Sequence, residues 1–405
     1  MQVVRNIEEI EEYLEKRKKE KKRLSERVSK ILKDVKSGGD KALIEYTKKF
    51  DNVKLSLREL RVSESEISAS FNELNSQLIT ALKCAIDNVT KFYQQQVCES
   101  VRIKEENGKV IRVKYIPLER VGIYIPGGSA PLVSTVYMCA VPALVGGVKE
   151  IVLVSPPNKE KMINPFILAV ASLLKIKEIY KVGGAQAIGA LAYGTKTIRK
   201  VDKIVGPGNE FVTEAKRQVF GEVGIDTLAG PSEIVIIASG DTNVDYIVVD
   251  MEAQLEHKEA TAIVITNSQK IVSQLKDKKI DGLVVKVKNL SDACVLVNKL
   301  SPEHLEIFTR KPSSLLKKIK NAPAIFLGEN TPSSLGDYTA GCSHVLPTQG
   351  KARFFSPLSL KEFLKEVHII SYTKKALSEE FPVLEKIASL EGMWKHIESV
   401  RKRLS

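Results

Sequence analysis

Apolar residues recur at helical spacing through the first hundred positions, as Ile7, Ile10 and Leu14 and again as Val28, Ile31, Leu32 and Val35. Each set puts one apolar stripe on a helix of 3.6 residues per turn. The same spacing predicts a long helix from about Ser65 to Val97, with a serine suited to cap its start. The stretch VRIKEENGKVIRVKYI then sets Asn107-Gly108 between two extended segments, which predicts a hairpin. From Val121 the pattern changes to short apolar runs alternating with helix-length segments: VGIYI, EIVLVS, EIYKV and KIVG. After a break at LAGPSE the alternation resumes with IVIIAS, TAIVIT, LVVKV and AIFLGE. Strands separated by helices imply βαβ units and parallel sheets buried on both faces. Residues from about 351 onward read as helical again, ending in LEGMWKHIESVRKRL. The expected fold is α/β, with two Rossmann-like lobes joined near Ser232. A helical N-terminal region over 1–110 contributes to the first lobe, which spans 111–232. The second lobe spans 233–350, and a helical tail spans 351–405.

Composition narrows the class without specifying it. No apolar run approaches the roughly 20 residues that cross a bilayer, and no secretory pattern opens the chain, so no membrane role and a cytoplasmic setting are expected. The five cysteines, at 84, 98, 139, 294 and 342, are odd in number and form no CxxC. That fits reduced thiols and excludes a thiolate-rich structural zinc site. The net charge of +13 raises nucleic acid as a partner. Acids interleave with the bases, however, and the densest run, Glu15 to Arg23, has no aromatic residue to stack on a base. No nucleic-acid partner is expected.

Candidate chemistry begins with the five histidines, none of which precedes residue 257. His257 lies in AQLEHK, His304 in SPEHLEI, His344 in GDYTAGCSHVLP and His396 in EGMWKHIESV, while His368 in KEVHII reads as structural. Gln254 and His257, three apart on a predicted helix, share one face. With Asp337, in a predicted loop after Gly336, and His396 on the last helix, they make a possible N/O zinc site that leaves positions open for substrate. Taken singly, each of the four reads first as a surface or hydrogen-bonded residue and not as a ligand. Glu303 and His304 stand side by side as bases of different strength, which suits two proton removals. The same residues behind Pro302 also read as a plain helix opening. Three glycine turns follow predicted strands: Gly127-Gly128, Gly183-Gly184 and Gly206-Pro207-Gly208. Each offers N–H groups to a phosphate, but none completes GxGxxG. Tight turns explain them as well.

Taken together and in order, VGIYIPGGSAPLVSTVYM, VGGAQAIGALAYGT, IVGPGNEFVTEAKR, IDTLAGPSE, AQLEH, SPEHLEI, GDYTAGCSHVLPT and EGMWKHIESVRKRL resemble the signature blocks of the histidinol dehydrogenase family. The resemblance runs from about residue 110 to the C-terminus and more loosely through the N-terminal helices. It implies four-electron oxidation of L-histidinol through histidinal to L-histidine, the last steps of histidine biosynthesis, with two NAD molecules used in turn. It implies two incomplete Rossmann-like lobes related to aldehyde dehydrogenases, and a homodimer with shared active sites. It makes Gln254, His257, Asp337 and His396 ligands of one Zn²⁺ per subunit, and Glu303 and His304 the acid–base pair. Ser232, His344 and Glu391 fall where the family contacts substrate, alongside those six residues. Tyr124, Gln186 and Asn209 fall where it contacts NAD.

Leu255 and Lys258 depart from the family pattern beside the implied ligands, as do Cys342-Ser343 before His344. None of these replaces a ligand or base. Two other readings compete. Cys342, near His344, offers a thiohemiacetal mechanism, but no Lys or Arg within eight residues would lower its pKa. A non-catalytic zinc-binding or nucleic-acid-binding scaffold is the second.

Overall fold

A computed structural model describes residues 1–4, 7–16, 21–127, 131–240 and 242–405. Gly128 of the first glycine turn, and much of the charged run from Glu15 to Arg23, lie outside the described residues. The chain opens on a short strand, β1 (Gln2–Val4), then passes through helices Ile7–Lys16, Lys21–Gly38 and Asp40–Phe50. Val28, Ile31, Leu32 and Val35 are all buried, and their helix packs on the Gly184–Tyr193 helix. The helical spacing thus marks a core face. The single helix expected from Ser65 to Val97 is instead two, Glu64–Ala69 and Ser76–Gln94. Ser63, not Ser65, caps the first. Its Oγ accepts the Glu66 N–H at 3.2 Å, and the Glu66 carboxylate accepts the Ser63 N–H at 2.9 Å, a reciprocal capping box. Asn75 caps the second, accepting the Leu78 N–H at 2.8 Å. An Asn side chain that competes for backbone N–H groups favours a new start over continuation.

The hairpin signalled by Asn107-Gly108 forms from β2 (Val101–Lys104) and β3 (Val110–Pro117). Five strands follow: β4 (Arg120–Tyr124), β5 (Glu150–Ser155), β6 (Glu178–Lys181), β7 (Lys203–Val205) and β8 (Gly224–Ile225). They make one parallel sheet in the order β6-β5-β4-β7-β8. Next come β9 (Glu233–Ala238), β10 (Thr261–Thr266), β11 (Leu283–Lys286), β12 (His304–Phe308) and β13 (Ala324–Leu327). These make a second parallel sheet, β11-β10-β9-β12-β13, with β1 added beside β11. In both sheets the first of the five successive strands lies at the centre and the winding reverses beside it, between β4 and β7 and again between β9 and β12. Such reversals open crevices in doubly wound sheets. Helices cover the sheets, and β4 and β10 are buried at every residue, which is why these strands read as nearly unbroken apolar runs. The exception is Arg120, whose buried guanidinium bonds Glu150 at 2.7 Å and Glu178 at 2.5 Å. It clamps the amino ends of three neighbouring strands.

Residues 1–96 and 119–363 form one compact unit, and residues 97–118 and 364–405 a second. The tail expected to be helical from 351 contributes a strand first, β14 (Leu364–Ser371), antiparallel to β3 over eight residues. Val367, Ile369 and Ile370, branched at Cβ, favour the extended form. The second unit is thus the sheet β14-β3-β2 with helices Lys374–Leu390 and Trp394–Leu404.

Candidate active site

Four segments of the first unit converge at the amino end of the second sheet. Ser232 immediately precedes β9, and its carbonyl accepts the Thr261 N–H at 2.9 Å. The helix Val244–Leu255 starts on Asn243, which accepts the Asp245 N–H at 3.0 Å. Running back along the sheet, it delivers Gln254, buried in its last turn, to the strand starts. His257 lies just past the helix end and is exposed, so the pair shares a helix terminus and not a helical face. The helix Leu290–Leu300 ends at Ser301, in the left-handed region with φ 51°. Pro302 cannot continue a helix, and Glu303 and His304 lead into β12. The helix-opening reading of these two residues therefore fails. Asp337 lies on a short helix, Ser333–Tyr338, and not in a loop. Gly336 seats that helix, since a Cβ there would meet the Phe326 ring at 2.7 Å.

The central imidazole lies between two carboxylates. His304 is 4% exposed and Glu303 6%. His304 Nδ1 stands 3.7 Å from Glu303 Oε2, and Nε2 stands 3.7 Å from Asp337 Oδ1. Burial opposes charge on His304, but Glu303 and Asp337 outweigh it and push the imidazole up to about 9. Burial raises Glu303 above the ordinary carboxylate range, against the pull of His304. Its Oε2 accepts the Glu233 N–H at 3.0 Å. Asp337 is also desolvated, yet His304, His344 and His257 together hold it below its usual value. His344 is oriented at both ring nitrogens: Nδ1 is 3.0 Å from the Asp337 carbonyl oxygen and Nε2 is 3.2 Å from Thr135 Oγ1. Burial lowers its pKa, which suits a neutral hydrogen-bonding ring.

Sequence reasoning missed three acids here. Glu233 is pushed up to about 7 by burial. Glu306, fully buried, is pushed up to about 8 by burial and by Asp250, and Asp250 is itself raised by burial. A charged residue inside the apolar strand HLEIF was the available signal for Glu306.

The three residues that the resemblance matches to cofactor lie at the carboxyl edge of the first sheet, one at a strand end and two at helix starts. Tyr124 ends β4, is buried, and accepts the Gly184 N–H at 3.1 Å. Gln186, in the first turn of the Gly184–Tyr193 helix that follows β6, is buried with Oε1 unpartnered. Asn209 is exposed and caps the Glu210–Val219 helix, accepting the Phe211 and Val212 N–H groups at 3.1 Å. Gly206 needs to be glycine. Its φ is +110°, and a Cβ would collide with the Tyr124 carbonyl oxygen. Lys216 donates to the Gly206 carbonyl at 2.5 Å and to Asp226 at 2.6 Å, and Asp226 accepts the Gly206 N–H at 2.7 Å. Glu391 and His396 belong to the second unit. There they line one groove with Leu384, Ile387 and Val400.

Among the described residues no three His, Cys, Asp or Glu side chains approach closely enough to hold a metal ion unaided. The implied zinc set differs in kind, with one carboxamide and one member, His396, in the second unit. Its chemistry fits on one observation. The amide nitrogen of Gln254 is buried without a partner, and turning that amide over would present its oxygen instead. Cys342 fits a nucleophile poorly, because burial raises its thiol pKa.

Comparison with known proteins gives a consistent result. The family model described as histidinol dehydrogenase matches residues 14–404. The histidinol dehydrogenase of Carboxydothermus hydrogenoformans is 44% identical over 100% of both chains. That of Clostridium acetobutylicum is 44% identical over 96% of this chain and 94% of its own. The crystal structure of histidinol dehydrogenase from Elizabethkingia anophelis matches with a TM-score of 0.89 at 38% identity, covering 94% of this chain and 92% of that one.

Proposed function

The chain belongs to the histidinol dehydrogenase family, oxidoreductases of histidine biosynthesis, and on that premise we propose that it oxidises L-histidinol through histidinal to L-histidine, with NAD as co-substrate and one zinc ion per subunit. The observation that carries the reading is the set of Glu303 and His304, both buried, and part-buried Asp337, in which one imidazole faces two carboxylates. Gln254, His257, Asp337 and His396 would hold zinc, and Tyr124, Gln186 and Asn209 would line the NAD site. When bound, NAD supplies the hydride acceptor and zinc a cationic anchor for the substrate's amine and imidazole nitrogens. His304 takes the hydroxyl proton as the carbinol carbon loses hydride, giving histidinal. Glu303, made more basic by burial, then removes a proton from the water that adds to the aldehyde. His304, having released its first proton, takes the hydroxyl proton of the resulting hydrate as the second hydride leaves, which gives the carboxylate. His304 works as a base only when neutral. Asp337, one of the two groups that raise its pKa, loses that hold on the ring once its charge is engaged as a ligand. Ser232, His344 and Glu391 would orient the substrate.

We also propose a homodimer in which Glu391 and His396 help complete shared sites. Support comes from the second unit, where Leu390 is 90% exposed and Trp394 66%, side chains suited to cover by a second copy. Among the described residues no helix is long and apolar enough to cross a membrane. A cytoplasmic setting suits the five free cysteines.

The test is NADH formation from L-histidinol, counted per substrate consumed, before and after chelation. Two NADH per histidinol, loss of activity on chelation and recovery with added Zn²⁺ are expected. One NADH per histidinol, or full activity in protein shown by elemental analysis to hold no metal, would overturn the reading.

A further inference from the structure

We infer that Glu306 is a positioning residue, tying together the three elements that carry His304, Asp337 and Gln254. The inference rests on the proposed reading of Asp337 and Gln254 as zinc ligands. Glu306 lies two residues beyond His304 on β12, so both side chains leave the same face of the strand. It is 0% exposed. Its Oε1 accepts the Ser333 N–H at 2.7 Å. Ser333 opens the Ser333–Tyr338 helix, and Pro332 ahead of it provides no side-chain cap. A carboxyl oxygen from another element therefore caps the helix that presents Asp337.

The second arm runs to the other helix. Asp250 lies beside Glu306, whose pKa its charge raises, one turn before Gln254 on the same helix and on the same face. Glu306 Oε2 finds no donor elsewhere. Two carboxyl groups can bond to each other only when one carries a proton, and burial favours that protonated state. One buried side chain thus sets the strand start against the starts and ends of two helices. Each of those helices ends near a group that must reach the metal.

Three variants of the full chain separate the arms. Glu306→Gln keeps an oxygen for the Ser333 N–H and offers Asp250 an N–H in place of the shared proton. Glu306→Leu removes both arms. Ser333→Pro deletes the N–H that caps, together with the Ser333 hydroxyl, and leaves the Asp250 arm in place, at a helix position where proline is tolerated. Zinc affinity is measured by competition with a chelator, and hydrogen exchange is followed over residues 333–338 in zinc-free protein. Glu306→Gln is expected to bind zinc within about threefold of the parent. Glu306→Leu and Ser333→Pro should each lose roughly tenfold or more, the usual cost of a lost supporting partner, and should exchange faster over 333–338.

Parental zinc affinity in Glu306→Leu and Ser333→Pro would overturn the inference, even if exchange or thermal stability changed, because the role would then be structural alone. An equal loss in Glu306→Gln would also overturn it. If Glu306→Leu fails to fold, the other two variants decide. If Asp337→Asn keeps full zinc affinity, the ligand reading fails instead, and exchange over 333–338 still decides whether Glu306 holds that helix.

Discussion

Lys216→Met should destabilise the first unit sharply, by an amount that follows from the burial of one ion pair. The side chains of Lys216 and Asp226 are 4% and 3% exposed, with nitrogen and oxygen 2.6 Å apart. Both groups also hold the Gly206 peptide, one at its carbonyl and one at its N–H. Methionine replaces the aliphatic stem but leaves the Asp226 carboxylate buried with a single N–H. Breaking one side of a buried pair costs about 3–5 kcal/mol, a large part of the roughly 5–15 kcal/mol that holds a domain folded. With a urea slope of about 3 kcal/mol per molar for a domain this large, the unfolding midpoint should fall by roughly 1–2 M.

The double variant Lys216→Met/Asp226→Asn separates charge from packing. The amide still accepts the Gly206 N–H and carries no charge, so the pair should recover about 2 kcal/mol relative to the sum of the single variants. Gly206 leads into Asn209, so the KM for NAD should rise in the single variant more than kcat falls. A midpoint within about 0.3 M of the parent for Lys216→Met, against the shift expected from a broken buried pair, would refute the reasoning. So would a double variant no more stable than the singles predict.

Three further outcomes are expected. Glu303→Gln should slow oxidation of supplied histidinal by about 10²–10⁴ and the alcohol half-reaction far less, whereas His304→Asn should slow both; wild-type histidinal oxidation by Glu303→Gln in stopped flow would remove its assigned role. Cys342→Ala should leave turnover within about tenfold, or ~1.4 kcal/mol of barrier, and a loss of several orders of magnitude in folded protein would revive the thiohemiacetal reading. Asp51, at the end of the Asp40–Phe50 helix, is raised to about 6 by burial. A raised carboxyl favours the fold below its unfolded value near 4, and that benefit is gone once pH passes 6. Asp51→Asn should therefore stabilise by about 1–2 kcal/mol at pH 7, after discounting for partial exposure, and by nothing below pH 4 in urea titrations.

What the sequence made legible was whatever depended on neighbours in the chain. Apolar runs in β4, β5, β9 and β10, the stripe through Val28 and Val35, and the Asn107-Gly108 turn each carry their own signal. The rest depended on partners far along the chain. β1 is three residues that become a strand only because β11 lies open beside them, and β14 needs β3. Asn75 broke a helix whose apolar spacing was continuous, because capping competes with periodicity. Pro302-Glu303-His304 looked like a helix start because the left-handed turn at Ser301 that ends one helix and launches β12 leaves no mark in composition. Glu306 was visible as a charge in an apolar strand, yet its partners Ser333 and Asp250 belong to two other elements.

The two sheets share one strand order but place their candidate residues at opposite ends, and helix polarity explains why. Tyr124, Gln186 and Asn209 gather at the carboxyl ends of β4, β6 and β7, where the Gly184–Tyr193 and Glu210–Val219 helices begin. Helix starts expose N–H groups and partial positive charge, which suits a phosphate-bearing co-substrate. Glu303 and His304 stand at the amino ends of the second sheet, where the Val244–Leu255 and Leu290–Leu300 helices finish. Helix ends expose carbonyl groups and partial negative charge, worth about 0.3–1 kcal/mol each toward a nearby cation. A site with the proposed role, holding a metal cation and passing through an imidazolium, would gain from two such ends. It would lose at the opposite edge of the same sheet, so on the proposed reading the duplicated topology would separate an anion-binding end from a cation-binding end without altering the strand order.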